Sequence, residues 1–462
     1  MRLARGNMRV AFLREIMYNG TNMLRLSVPN PDADKRKVRI AMTDASDKRN
    51  IPFSPPDISE LEIAGAAEAL RSGWITTGPR TKTLEKKIAA WVQGYADQGA
   101  PRCVCLNSAT AALEMALRLL GIGPQEGGSA DDEVITCAYT YTASASVVAH
   151  VGAKLKLVDC STEPGSIQMD YDKLEAAITA NTKAIIPVDI AGIPCDYDRI
   201  FQIVERKRAC FRASSPLQEK LGRVAVVADA AHAFGASYHG KMVGSVADFT
   251  AYSFHAVKNF TVAEGGALLW NHVDGTEDDE LYHQLQLYSL HGQSKDALAK
   301  NQLGAWEYDI VGTWYKCNMT DIMAAIGLAQ LQRYPGLLAR RRQIIEMDDA
   351  ALKPLGVETL DHYRADRVSS GHLYITRIPG ISREQANAVI TKMAQRGVAT
   401  NVHYKPLPMH TAYKKLGFAI VNYPNAYRRF ENCVTLPLHT RLDDADVAYV
   451  IRNYSQVLRE YL

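Results

Sequence analysis

The run Val224-Ala225-Val226-Val227-Ala228 closes on Asp229, and a carboxylate at the end of an unbroken apolar run narrows the possible folds more than any other feature of this chain. A continuous apolar run fits a strand covered on both faces, as in a parallel sheet, rather than the alternating pattern of a half-exposed strand. An acid at its end is costly to bury unless a cation meets it. Downstream come Tyr252-Ser253-Phe254-His255-Ala256-Val257-Lys258-Asn259 and then Glu264-Gly265-Gly266, which add a hydroxyl and an amine in a fixed order after the acid.

That order is the one that holds pyridoxal phosphate (PLP). Asp229 is expected to pair with the pyridinium nitrogen and keep it protonated, so that the ring acts as an electron sink. The Ser253 hydroxyl is expected to meet the phosphate, and Lys258 to form the Schiff base. Lys258 must react as a neutral amine, so its pKa has to be lowered by desolvation or nearby positive charge. Once displaced by a substrate amine it is placed to move a proton between Cα and C4′. A surface lysine fits poorly beside Ser253-Phe254-His255 and the glycine turn. His232 lies one turn beyond Asp229, where it is placed to bond the cofactor's phenolic oxygen; a satisfied core histidine explains it as well.

Two further segments join this set. Asn107-Ser108-Ala109-Thr110-Ala111-Ala112-Leu113 links a strand to a helix start, where free amides and the helix dipole make a phosphate seat. An ordinary Ser/Thr cap explains those residues taken alone; Ser253 and Lys258 tip the reading toward phosphate. Tyr139-Thr140-Tyr141 follows the apolar residues 134–137, and an aromatic at the carboxyl end of a strand is placed to stack on a flat ring at the switch point of an open sheet; ordinary aromatic packing explains it equally well without the other motifs.

Strand patterns (residues 103–106, 134–137, 155–158 and 184–188) alternate with helical ones (58–72, 84–92, 109–120 and 142–150). This predicts an α/β fold with a mostly parallel sheet covered on both faces. Gly73 stands where the first helix should end. Residues 205–222 read as a basic, irregular surface insertion, residues 319–334 and 336–351 as long helical stretches, and the chain from 371 onward as a smaller α+β unit. Residues 1–50 are polar, contain a charge run and several methionines that could be alternative starts, and read as a poorly ordered extension or an over-long gene prediction. The expected division is therefore 1–50, a large domain at 51–335 and a small one at 336–462.

With 22% charged residues and a net charge of +3, the chain has no strong field to suggest nucleic acid or a membrane surface. No apolar run approaches the ~20 residues of a spanning helix. The eight cysteines show no metal spacing, and Cys103 and Cys105 point to one face of a strand rather than forming a redox pair. A reducing cytoplasm and no metal are expected.

Several ordered segments carry a resemblance: Ser72-Gly73-Trp74-Ile75-Thr76-Thr77-Gly78-Pro79, Ser108-Ala109-Thr110-Ala111-Ala112-Leu113, Asp229-Ala230-Ala231-His232-Ala233, Ser253-Phe254-His255-Ala256-Val257-Lys258, Tyr315-Lys316-Cys317-Asn318-Met319-Thr320-Asp321 and His403-Tyr404-Lys405-Pro406-Leu407. From about residue 51 onward the chain resembles the sugar-nucleotide aminotransferases of the DegT/StrS type, which are fold-type I PLP enzymes. The resemblance implies a seven-stranded PLP domain with a smaller C-terminal domain, and a homodimer with composite active sites. Its substrates would be an amino donor, glutamate or glutamine, and a keto-sugar nucleotide. By position it makes Lys258 the Schiff-base lysine, Asp229 the pyridinium partner and His232 a contact of the phenolic oxygen. Ser108, Ala109, Thr110 and Ser253 would hold the phosphate, and Tyr141 would stack on the ring. Lys316, where many members have Asn, would reach the neighbouring subunit's phosphate. Trp74, Thr76, Gly78, His403 and Tyr404 are candidate substrate contacts. Asp189 stands where many members carry His. Two rival readings are a sugar dehydratase or deoxygenase, in which the lysine is replaced by His, and a non-catalytic regulator with a vestigial site. Lys258 argues against the first; intact Lys258, Asp229 and Ser253 argue against the second.

Overall fold

The computed structural model describes residues 48–94, 102–295 and 307–462. The expected extension at 1–50 lies outside them except for its last three residues, where Arg49 donates to Asp446 Oδ1 at 2.7 Å.

Seven strands form the main sheet: β1 (Cys103–Leu106), β2 (Glu133–Cys137), β3 (Lys154–Val158), β4 (Thr182–Ile186), β5 (Ala225–Asp229), β6 (Phe249–Ser253) and β7 (Gly266–Trp270), in the spatial order β1-β7-β6-β5-β4-β2-β3. Neighbours from β3 across to β6 run parallel, and only β7 is antiparallel to both strands beside it. The strands of the middle, β4 to β7, are buried along their whole length, and β5 and β7 are built almost wholly from apolar residues. One face packs against Leu113, Leu117 and Val148, the other against Tyr139, Tyr197 and Ile200. With every parallel strand pointing the same way, the segments after β1, β2, β4, β5 and β6 leave the sheet at one edge.

A three-stranded antiparallel sheet (Glu358–Thr359, Tyr374–Arg377, Cys433–Leu436) with helices Arg383–Gln395 and Asp444–Leu458 supplies the α+β unit at the C-terminal end. The two helical stretches expected on either side of Pro335 are one helix, Asp321–Leu352. Proline inside a helix removes one hydrogen bond and costs about 3 kcal/mol. Contacts on both sides of it offset that cost. Tyr334 donates to Phe234 O at 2.6 Å, Arg333 bonds Asp57 at 2.6 Å and Glu62 at 2.9 Å, and Arg341 bonds Leu438 O at 3.0 Å. At the start of this helix Asp321 is buried and accepts from the amides of Gly78, Arg80 and Thr81, so it caps the separate helix Pro79–Gln93. The first expected helix is Glu60–Arg71, begun by a Ser59 capping box and followed by Gly73 at φ +73°. Residues 205–222 are more ordered than an irregular insertion: Pro216–Leu221 is a short helix, and buried Gln218 donates to Leu120 O at 2.8 Å. Among the described residues no helix is long and apolar enough to cross a membrane.

Candidate active site

At the carboxyl edge of the main sheet lies a cavity of about 520 Å³. Ser108, Ala109 and Thr110 after β1, Tyr141 after β2, Asp229 and His232 at and after β5, Ser253 at the end of β6, and Lys258 all line it. Residues spread over 150 positions of sequence therefore meet because parallel strands share one exit edge.

Asp229 is buried and accepts from Ser144 Oγ at 2.6 Å and from the Ala231 amide at 3.1 Å. Both donors are neutral. Burial raises its carboxyl pKa, and those two bonds and Lys258 only partly oppose the rise. Desolvation in turn depresses the Lys258 amine to about 8, with Asp229 opposing. No ion pair links the two among the described residues, so the cavity holds an acid and an amine that each lack a close counter-charge.

His232 is buried and its tautomer is fixed by its partners. The Ala191 amide can only donate, so Nδ1 accepts at 3.2 Å and the ring proton sits on Nε2, facing Tyr404 Oη at 3.2 Å. Desolvation first, then Lys258 and His403, hold this imidazole well below its ordinary pKa and hence neutral. His403, also in the lining, is pushed down to about 3 by burial and then by Lys258, and its ring stacks on Phe53 at 5.5 Å. Tyr141 is 60% exposed at the rim, its ring 6.0 Å from that of Tyr404.

Ser108 caps the helix Ala109–Leu119 by accepting from the Ala111 amide at 3.1 Å, which leaves the amides of Ala109 and Thr110 without intrahelical partners at the cavity wall. Gly266 lies against this turn: a Cβ there would overlap the Ser108 and Ala109 backbone. The glycine turn thus sets how closely β7 approaches the helix start.

The other expected residues lie elsewhere. Trp74, Thr76 and Gly78 do not line the cavity of their own chain. Trp74 Nε1 donates to Thr77 O, Thr76 O accepts from the Asp321 amide, and the Gly78 amide donates to Asp321 Oδ1. Lys316 is exposed and bonds Asn318 Oδ1 at 2.6 Å, also outside the cavity. Asp189 turns away from it as well. It is fully buried, accepts from the Cys195 amide at 2.8 Å and Tyr197 Oη at 2.9 Å, and burial lifts it to about 7. Residues missed in the sequence are Ser144, Phe53, Asn259 and His372. Only Asn259, next to Lys258, carried a positional signal; the rest reach the site through long-range contacts.

A helix start with free amides, a buried acid and a desolvated amine in one cavity suit a phosphate, a pyridinium and an aldehyde, so the residues present fit PLP. A family model for the DegT/DnrJ/EryC1/StrS aminotransferases matches residues 56–455. The chain belongs to that family. The Bacillus subtilis (strain 168) spore coat polysaccharide biosynthesis protein SpsC is 34% identical over 421 residues, covering 89% of this chain and 98% of that protein. Among solved structures, the PMP form of Spr1654 from Streptococcus pneumoniae, described as a sugar aminotransferase, is 54% identical with a TM-score of 0.84, over 89% of this chain and all of that one. Its PLP form is 53% identical with a TM-score of 0.83, over 90% and 100%. This chain is a PLP-dependent aminotransferase of fold-type I.

The depressed Lys258 pKa sets a pH dependence. The neutral amine, the form that attacks an aldehyde, gains population as pH rises through about 8 instead of 10.5. The rate of PLP capture by cofactor-free protein is predicted to rise from pH 7 and level off above about pH 9. A rate still climbing steeply at pH 10 would show that Lys258 is not desolvated.

Proposed function

We propose that this aminotransferase moves an amino group from glutamate, or glutamine, to a keto group of a nucleotide-linked sugar. The observation that carries the reading is the pairing of a buried, cation-seeking Asp229 with a desolvated Lys258 in one cavity. The sugar class is supported by the description of Spr1654 and by the polysaccharide role in the name of SpsC.

Bound PLP supplies an electron-withdrawing ring and a carbonyl carbon that accepts and releases the amino group. Asp229 would hold the ring nitrogen of PLP, with Ser144 keeping that carboxylate aimed. Lys258 would anchor the cofactor, and its freed Nζ would take and return the proton at the substrate carbon. The amides of Ala109 and Thr110, with the Ser108 and Ser253 hydroxyls, would seat the phosphate. Tyr141, at the rim, would cover the ring. His232, neutral with its proton on Nε2, would serve the phenolic oxygen, and His403 and Tyr404 would contact the sugar. All eight cysteines are free, seven of them buried, which supports work in a reducing cytoplasm.

The working unit in this reading is a homodimer. Trp74, Thr76, Gly78 and Lys316 lie outside their own chain's cavity, and Ile58, Leu61, Ile63, Leu70 and Ile75 are exposed apolar residues in the same part of the sequence. A second copy would cover the apolar residues and bring the others to its partner's site, with Lys316 as a point charge toward the phosphate.

Two experiments test these readings. Protein loaded with pyridoxamine phosphate is mixed with a panel of keto-sugar nucleotides, and return of the PLP absorbance marks an acceptor. At least one panel member is predicted to restore it, with glutamate or glutamine reversing the change; restoration by simple 2-keto acids alone would overturn the sugar assignment. For the dimer, Lys258→Ala protein is exchanged with Lys316→Ala protein. A contact in trans gives each hybrid one intact site, so activity should return to about one quarter of wild type. Inactive hybrids would place Lys316 in its own chain's site, and an active Lys316→Ala parent would show that it has no role.

A further inference from the structure

Two residues that line or border the cavity have no part in the chemistry above: His372, from the strand-forming region near the C-terminal end, and Asn259, the neighbour of Lys258. The Asn259 amide nitrogen donates to Ser370 O at 2.8 Å. A carbonyl can only accept, so the orientation of the amide is fixed and its oxygen faces His372 Nδ1 at 2.8 Å. His372 therefore donates from Nδ1 and carries its lone pair on Nε2, to which no hydrogen bond is made among the described residues. Its ring is only 4% exposed and lies 4.4 Å, centroid to centroid, from the ring of His232. Desolvation first, then His232 and Lys258, keep it neutral.

The surrounding backbone closes a ring of contacts. The Ser370 hydroxyl donates to His232 O, the Ser370 amide to Gly192 O at 3.1 Å and the His372 amide to Ala191 O at 3.2 Å. The Ala191 amide returns to His232 Nδ1. Gly192 sits at φ +78°, and a Cβ there would stand 2.8 Å from His232 O, so this packing leaves no room for a side chain. Residues 369–372 thus bind both the loop after β4 and the residue next to Lys258.

We propose that His372 and Asn259 form a positioning pair that fixes the Lys258 amine relative to His232. The inference rests on the reading of Lys258 given above. A lysine has a flexible four-carbon stem, and proton transfer falls off steeply with misplacement of the base. Pinning Asn259 at both ends of its amide immobilises the root of that stem. The His372 ring fills the space beside His232, keeps water out of the cavity floor and so maintains the desolvation of the amine. The pair acts through Lys258 and His232 rather than by touching substrate.

The test uses the full chain with two readouts. In cofactor-free protein, labelling of Lys258 by fluorodinitrobenzene is followed against pH by peptide mapping, which needs no substrate. Wild type is expected to reach half its maximal labelling rate near pH 8, and His372→Ala and Asn259→Ala each to move that midpoint up by about one pH unit. In PLP-loaded protein each variant should lower kcat about 10- to 100-fold and change KM for the amino donor less than about threefold. The double variant should be no slower than the slower single one, because one device is broken once. His372→Gln, which keeps a donor toward Asn259, should recover most of the rate. An unmoved labelling midpoint, or losses that multiply in the double variant, overturns the pairing. If His372→Ala does not fold, Asn259→Ala and His372→Gln carry the same two readouts. If the role of Lys258 itself is wrong, Lys258→Ala retains turnover; if only the pair is wrong, Lys258→Ala is inactive while the His372 and Asn259 variants match wild type.

Discussion

Desolvation of two opposite charges at one edge of a sheet is the constraint on which the rest of the structure depends. Asp229 ends the buried strand β5 with only neutral donors, Ser144 and Ala231, on its oxygens. Lys258 lies in the same cavity with its pKa pulled down, and no ion pair joins the two. Left alone, such a site costs stability, since each buried charge lacks its partner. A cofactor with a basic ring nitrogen and an aldehyde relieves both costs at once. The neighbouring imidazoles of His232 and His403 stay neutral, so they add no competing charge.

How much of this was legible in the sequence follows from the range of the contacts. The β5 run with its terminal Asp229, the Ser253 and Lys258 spacing and the strand–turn–helix at Ser108 are local patterns, and each sits at the cavity. The strand order, with β7 inserted between β1 and β6, has no local signature. The hydrogen bond from Ser144 to Asp229 spans 85 positions and that between His372 and Asn259 spans 113, so neither could be read from spacing. Pro335 misled in the opposite direction: a local helix breaker is carried inside a long helix because Tyr334, Arg333 and Arg341 are anchored to other elements.

Asp189 is buried behind the cavity and takes no part in its lining. Its carboxyl points into the core toward Cys195 and Tyr197, while its backbone amide donates to Asp229 O at 3.0 Å. Its side chain therefore supports the loop after β4 from behind, the same loop that residues 369–372 hold from the front.

The central claim is that the amine of Lys258 carries the cofactor. Borohydride reduction of the PLP-loaded protein, followed by proteolysis and mass mapping of the pyridoxyl group, tests it most directly. The label is predicted on the peptide containing Ser253-Phe254-His255-Ala256-Val257-Lys258, at Nζ of Lys258. A label on any other lysine, or PLP retained without a reducible bond to the protein, would contradict it.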